Sequence, residues 1–111
     1  MTDKELLELA AKAAGVTIGV VKEPKGHPAW CDHCVVDGYD HMMWAPFIDD
    51  AQAFRLMVEL GLEVRTDGPY LIAVTPRYVD NELYEPRGED PYAAVRRGIV
   101  KAAAEIGRNH D

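Results

Sequence analysis

The chain has little of what marks several specialised protein classes. Its 111 residues include only two cysteines, too few for the disulfide framework of a small secreted protein, so a reducing cytoplasm is the expected location. No apolar run approaches the roughly 18 residues that a membrane-spanning helix needs, and residues 1–10 are too charged for a secretory signal. We therefore expect a single domain, residues 1–111, that binds no membrane.

Basic residues are also scarce. The formal net charge is −7, and residues 26–54 contain five aspartates but neither lysine nor arginine. Because proteins that bind nucleic acid draw most of their affinity from clustered lysine and arginine, direct nucleic-acid binding is not expected. An acidic surface of this kind instead suits a protein partner with a basic surface.

Three segments have the spacing of amphipathic helices. The first begins at a capping box formed by Thr2 and Glu5, and Gly15 ends it. The last begins at Pro91, a residue suited to a first helical position, and Gly107 is expected to end it.

The middle helix, residues 50–60, follows a second capping box that begins at Asp49. Apart from its first residue, its polar side chains are Gln52, Arg55 and Glu59, which share one face. Since so narrow a polar stripe leaves most of the helix surface apolar, the sequence predicts that this helix is mostly buried at the centre of the fold.

Five segments are typical of β-strands: residues 16–22, 30–36, 39–44, 62–65 and 70–75. Asp37-Gly38 predicts a two-residue hairpin that pairs Val36 with Tyr39. Residues 76–90 are interpreted as a long polar connection. The expected fold is α+β, in the order α-β-β-β-α-β-β-α: a small, mostly antiparallel sheet of four or five strands with three helices on one face.

Two stretches resemble small bacteriophage proteins of the NinX-like family. They are residues 44–61, WAPFIDDAQAFRLMVELG, and residues 90–107, DPYAAVRRGIVKAAAEIG, together about a third of the chain. The family is a domain of unknown function, so the resemblance implies an origin in a phage or prophage and supplies no catalytic residues. Gly98 departs from the alanine expected there, which costs about 1 kcal/mol of helix propensity unless something packs closely against it.

A Cys-x-x-Cys motif stands among histidines and suggests zinc. The candidate ligands are His27, Cys31, Cys34 and His41, residue types that bind this metal. In the predicted hairpin, however, Cys31 lies opposite Trp44, and strand alternation points the two cysteines to opposite faces. We therefore expect no cofactor, with a zinc site as the alternative if the motif lies in a loop before the strand.

The Cys-x-x-Cys motif and its neighbouring histidines do not predict a catalytic site. Cys34 and His41 would be cross-strand neighbours, but no third group is evident to orient the histidine as a base. Residues 35–36 continue as β-branched valines, which favours a strand rather than the helix N-terminus of a redox-active thiol pair. The sequence therefore predicts a protein that is not an enzyme.

The last helix carries a basic face. Arg97, Lys101 and Arg108 follow one side of it, with Arg96 beside them. One interpretation is a site for an anion or a signalling nucleotide, placed at a subunit interface if the chain forms a homo-oligomer. The other is a solvated face that balances acidic segments nearby.

The segment 76–90 is the predicted partner-binding surface. It sets tyrosines among acids, and tyrosines anchor interfaces while carboxylates attract basic partners. The candidate residues are Tyr78, Asp80, Glu82, Tyr84 and Glu85. The alternative is an ordinary loop whose aromatic residues pack onto the core.

These observations favour a non-enzymatic binding protein. The hypothesis is a phage-encoded acidic accessory protein that acts in the host cytoplasm. It would inhibit a host protein of defence or nucleic-acid processing that has a basic surface. Two alternatives stay open: a protein that sequesters a small signalling nucleotide, and a zinc-stabilised interaction module.

Overall fold

The computed structural model describes residues 2–15, 35–36, 43–76 and 82–109. Its elements in chain order are α1 (Asp3–Ala14), β1 (Val35–Val36), β2 (Met43–Trp44), α2 (Asp50–Leu60), β3 (Leu62–Asp67), β4 (Leu71–Pro76), β5 (Leu83–Pro86) and α3 (Pro91–Arg108). The fold class is α+β, as the sequence predicted. None of the helices in these ranges combines the length and apolarity needed to cross a membrane.

The first two helices begin and end where the capping signals predicted. The Thr2 hydroxyl accepts a hydrogen bond from the Glu5 amide at 3.1 Å, and the Asp49 carboxylate accepts one from the amide three residues later at 3.0 Å. Gly15 and Gly61 follow the two helices with φ angles of 73° and 64°. That left-handed conformation is one which glycine adopts without the steric cost of a Cβ atom.

The sheet is antiparallel and has three described strands in the order β3-β4-β5. The prediction of four or five strands in one sheet is therefore wrong for this part of the chain, where β1 and β2 form a separate two-stranded ladder. Strand β5 lies inside the segment interpreted as a connection. The sequence hid it because a charged residue, Glu85, occupies one of its buried positions, which removes the apolar alternation. The predicted strand at 16–22 lies outside the described residues.

The hairpin register also differs from the prediction. Val35 pairs with Trp44 and Val36 with Met43, so six residues rather than two separate the paired positions. The Asp37-Gly38 turn signal is local, whereas register follows the pairing that buries the apolar face, and Trp44 is buried. Trp44 therefore does not pair with Cys31 as predicted. Both cysteines lie outside the described residues, and the expectation that they point to opposite faces stays a prediction.

Helix α3 is the central element, since it contacts both α1 and the sheet. Two glycines mark these contacts. A Cβ at Gly98 would lie 2.9 Å from Val74 Cγ2 of the sheet, and one at Gly107 would overlap the Leu9 carbonyl oxygen of α1. Nine residues at about 100° each place the two glycines on opposite sides of the helix. The buried residues of α3 are Ala94, Gly98, Ile99, Val100, Ala102, Ala103, Ala104 and Gly107.

These contacts explain two features of the α3 sequence. Gly98 replaces the expected alanine because Val74 packs closely against it. This close contact is the one that would justify the loss of helix propensity at that position. Gly107 does not end the helix as predicted, because it serves the contact with α1 and the helix continues to Arg108.

Helix α2 is not the buried central helix that its sequence predicted. Its buried residues are Ala53 and Leu56, which face the core. Phe54 and Val58 are each 60% exposed. The reason is tertiary: α2 contacts α3, α1 and β3, and no described residue covers Phe54 and Val58.

Candidate functional site

Part of the predicted partner-binding surface lies on the face of the sheet turned away from α3. Tyr78 and Asp80 are outside the described residues. The Tyr84 hydroxyl, on a side chain that is 50% exposed, donates a hydrogen bond to Glu82 Oε2 at 2.6 Å. Thr75 donates to the other oxygen of Glu82 at 3.3 Å, and Arg65 forms an ion pair with it.

This cluster stabilises the ionised form of Glu82. The Tyr84 hydrogen bond is the largest cause that lowers the pKa of this carboxyl below its usual range, and the Arg65 guanidinium lowers it further. Glu82 therefore remains a carboxylate at neutral pH, and it organises its neighbours into one hydrogen-bonded surface.

The fifth predicted partner residue, Glu85, is in a different environment. It is 8% exposed and lies on the helix-facing side of β5. Lys101 Nζ donates to its Oε2 at 2.6 Å, and Arg97 Nε lies 3.6 Å from its Oε1. Glu85 therefore ties β5 to α3, and it does not share an exposed surface with Tyr84.

The four cations proposed for an anion site have acidic partners within the chain. Arg96 donates to Asp50 at 2.7 Å and to the Phe47 carbonyl oxygen at 2.7 Å, and Arg97 donates to Asp3 at 2.9 Å. Lys101 pairs with Glu85 as described. Arg108 lies 3.6 Å from Glu105 one turn earlier. An anion at this face would have to displace carboxylates, and the anion site stays a prediction.

The metal hypothesis concerns residues that the structure leaves undescribed. His27, Cys31, Cys34 and His41 all lie there. Elsewhere, among the described side chains, no three of the histidine, cysteine, aspartate or glutamate type are grouped so that they could hold a metal ion. The zinc site stays a prediction.

The outer face of α2 is a feature that the sequence did not predict. This face consists of Ala51, Phe54 and Val58, with Arg55 and Glu59 beside them, and all five are exposed. Phe54 and Val58 are one helical turn apart, so their side chains are neighbours. The sequence feature that could have predicted this face is the spread of apolar residues around α2. That spread is wider than the arc of about 100° that one packing contact needs.

A groove lies where the β5–α3 loop approaches the residues before α2. Its volume is about 400 Å³, and Phe47, Ile48 and residues 87–90 are among its lining. The Arg97 guanidinium lies 5.3 Å from the centre of the Phe47 ring. The Arg87 amide donates to the Tyr70 carbonyl oxygen at 2.7 Å, which attaches the loop to the end of the sheet.

Comparisons with protein-family models, with curated proteins and with solved structures found no match for this chain. The resemblance to the NinX-like phage proteins therefore stays a prediction.

Proposed function

We propose that this protein is a non-enzymatic binding protein whose outer α2 face docks a partner protein. The observation that carries the proposal is the exposure of Phe54 and Val58, each 60% accessible on the same helix face. Fully burying a side chain of this kind contributes roughly 1.5–3 kcal/mol. Adjacent exposed apolar side chains with charged neighbours are typical of protein interaction sites.

Charge selects the chemistry of the partner. Residues 49–63 contain four acidic residues and one arginine. A second copy of this chain carries the same acidic groups and the same net charge of −7, so like-charge repulsion opposes self-association through this face. A partner that presents apolar side chains within a basic surface, such as a basic amphipathic helix, complements both features.

The biological setting is proposed from the resemblance alone. On that basis the protein is a phage or prophage accessory protein in the bacterial cytoplasm. It occupies a host protein of defence or nucleic-acid processing and thereby inhibits it.

The test compares immobilised wild type with the double variant Phe54→Ser/Val58→Ser in capture from bacterial lysate at low salt. The captured protein is then purified, and its Kd is measured for both. We expect the double variant to bind about 100-fold more weakly, since it loses two apolar contacts. Added salt should weaken wild-type binding, because the partner is basic.

Tyr70→Ser is the matched control, because Tyr70 is exposed but lies in the turn between β3 and β4. It should bind like wild type, and all three proteins should unfold at the same urea concentration. Equal binding by the double variant would refute the proposal. So would an acidic captured protein, or a wild-type dimer in sedimentation that the double variant abolishes.

A further inference from the structure

The groove between the β5–α3 loop and the residues before α2 has apolar walls. Ile48, Pro86 and Ala93 line it together with the Phe47 ring. Its volume of about 400 Å³ falls in the range of roughly 300–1,000 Å³ that small-molecule sites occupy. The charged groups of the lining therefore decide which small molecule fits.

Most of those charged groups are already engaged. Arg96 and Arg97 have the acidic partners described above, and Glu85 is paired with Lys101. The Asp90 carboxylate accepts hydrogen bonds from the first amides of α3, at 3.0 and 3.2 Å. None of these groups needs a ligand to be satisfied.

Two opposite charges remain, Arg87 and Glu89. Within the described parts of the chain, neither side chain has a hydrogen-bond or ion-pair partner, and the two do not pair with each other. Gly88 stands between them with a φ angle of 61°, and both charged residues line the groove. The backbone bond from Arg87 to Tyr70 at 2.7 Å holds the loop in place.

We propose that this groove binds a small zwitterion, an α-amino acid with an apolar side chain. Its carboxylate accepts hydrogen bonds from the Arg87 guanidinium, which suits the planar shape of a carboxylate. Its ammonium group donates to Glu89, and its side chain packs against Ile48, Pro86 and Ala93. A purely anionic ligand would leave Glu89 beside a like charge, and a purely cationic ligand would do the same to Arg87.

The test is a titration followed by amide chemical shifts, with L-leucine as the probe. We expect saturable shifts confined to the groove lining: the amides of Phe47, Ile48, residues 87–90, Ala93 and Ala94. N-acetyl-L-leucine lacks the ammonium group and L-leucinamide lacks the carboxylate, so each should bind about tenfold more weakly. Equal binding of either analogue, or no saturable shift with leucine, would overturn the proposal.

Charge-neutral variants test the two residues individually. Arg87→Gln and Glu89→Gln should each weaken leucine binding about tenfold. The controls are Arg55→Gln and Glu59→Gln, which alter two exposed residues of opposite charge on α2 and should leave leucine binding unchanged. Unchanged binding in both loop variants would contradict the assignment. The outcome is independent of the proposed partner docking, because Phe54→Ser/Val58→Ser leaves the groove lining intact.

Discussion

Helices α2 and α3 differ in burial in a way that their composition does not explain. Seven of the eleven residues of α2 are apolar, yet two are buried. Helix α3 is rich in alanine and glycine and carries Arg96, Arg97 and Lys101, yet eight of its eighteen residues are buried. Burial therefore depends on how many sides of a helix its neighbours cover. The sheet and α1 cover opposite sides of α3, whereas the contacts of α2 with α3, α1 and β3 leave Phe54 and Val58 exposed.

Side-chain size contributes to the same difference. Gly107 lets α1 approach the α3 backbone more closely than a Cβ would permit, and Gly98 lets the Val74 side chain of the sheet pack closely against it. Helix α2 instead presents Phe54 and Val58 outward. A stretch of small residues can thus form the centre of a domain, while a more apolar stretch can supply its binding surface.

The largest expected effect is a difference in the free energy of unfolding between a substitution on the inner face of α2 and one on its outer face. Leu56 is 2% exposed, so Leu56→Ala leaves a cavity and should lower the free energy of unfolding by about 3 kcal/mol. Phe54→Ala removes an exposed side chain and should change it by less than about 0.5 kcal/mol. Urea unfolding of both variants measures the difference, and equal losses would show that the outer face is part of the core.

The next prediction tests the close contact between α3 and α1. Gly107→Ala places a methyl group against the Leu9 backbone carbonyl, which cannot move without shifting α1. The free energy of unfolding should fall by about 2 kcal/mol, because overpacking outweighs the gain in helix propensity. Gly98→Ala meets a Val74 methyl group instead and should lose less. A Gly107→Ala variant more stable than wild type in urea unfolding would contradict the α1–α3 packing.

The smallest effect on the free energy of unfolding is expected for acidic residues. The comparison is between Glu85, which pairs with α3, and Glu59 on α2. Glu85→Gln keeps the shape of the side chain but removes the charge that pairs with Lys101 and Arg97. A loss of about 1 kcal/mol is expected, because both cations are partly exposed and regain water. Glu59→Gln on the outer face of α2 should have no measurable effect. If chemical denaturation shows the same stability for both variants, Glu85 does not tie β5 to α3.

Local signals predicted the helices well but the strands less well. The caps at Thr2 and Asp49 and the glycines that follow α1 and α2 act through hydrogen bonds within a few residues. They are therefore readable from the sequence. The turn signal at Asp37-Gly38 is local too, but the pairing of Val35 with Trp44 overrode it. Contacts between strands outweigh the preference of one turn.

The candidate surfaces, too, could be predicted from the sequence only in part. That residues 82–85 place a tyrosine among acids was visible in the sequence. That Tyr84 lies on the solvent side and Glu85 against Lys101 depends on β5 being a strand, because neighbouring strand residues point to opposite faces. The outer face of α2 and the groove beside Arg87 and Glu89 could not be predicted in this way. Whether their residues are exposed depends on which other elements pack next to them.

The acidic charge, the α+β class, the starts of all three helices and the ends of α1 and α2 could be predicted from the amino-acid sequence, because they depend on composition or on bonds between near neighbours. Which helix is central, where β5 pairs and which acidic residues are buried became visible in the folded structure. Those outcomes depend on surfaces from distant parts of the chain that compete for the same contacts, and no short stretch of sequence records the result of that competition.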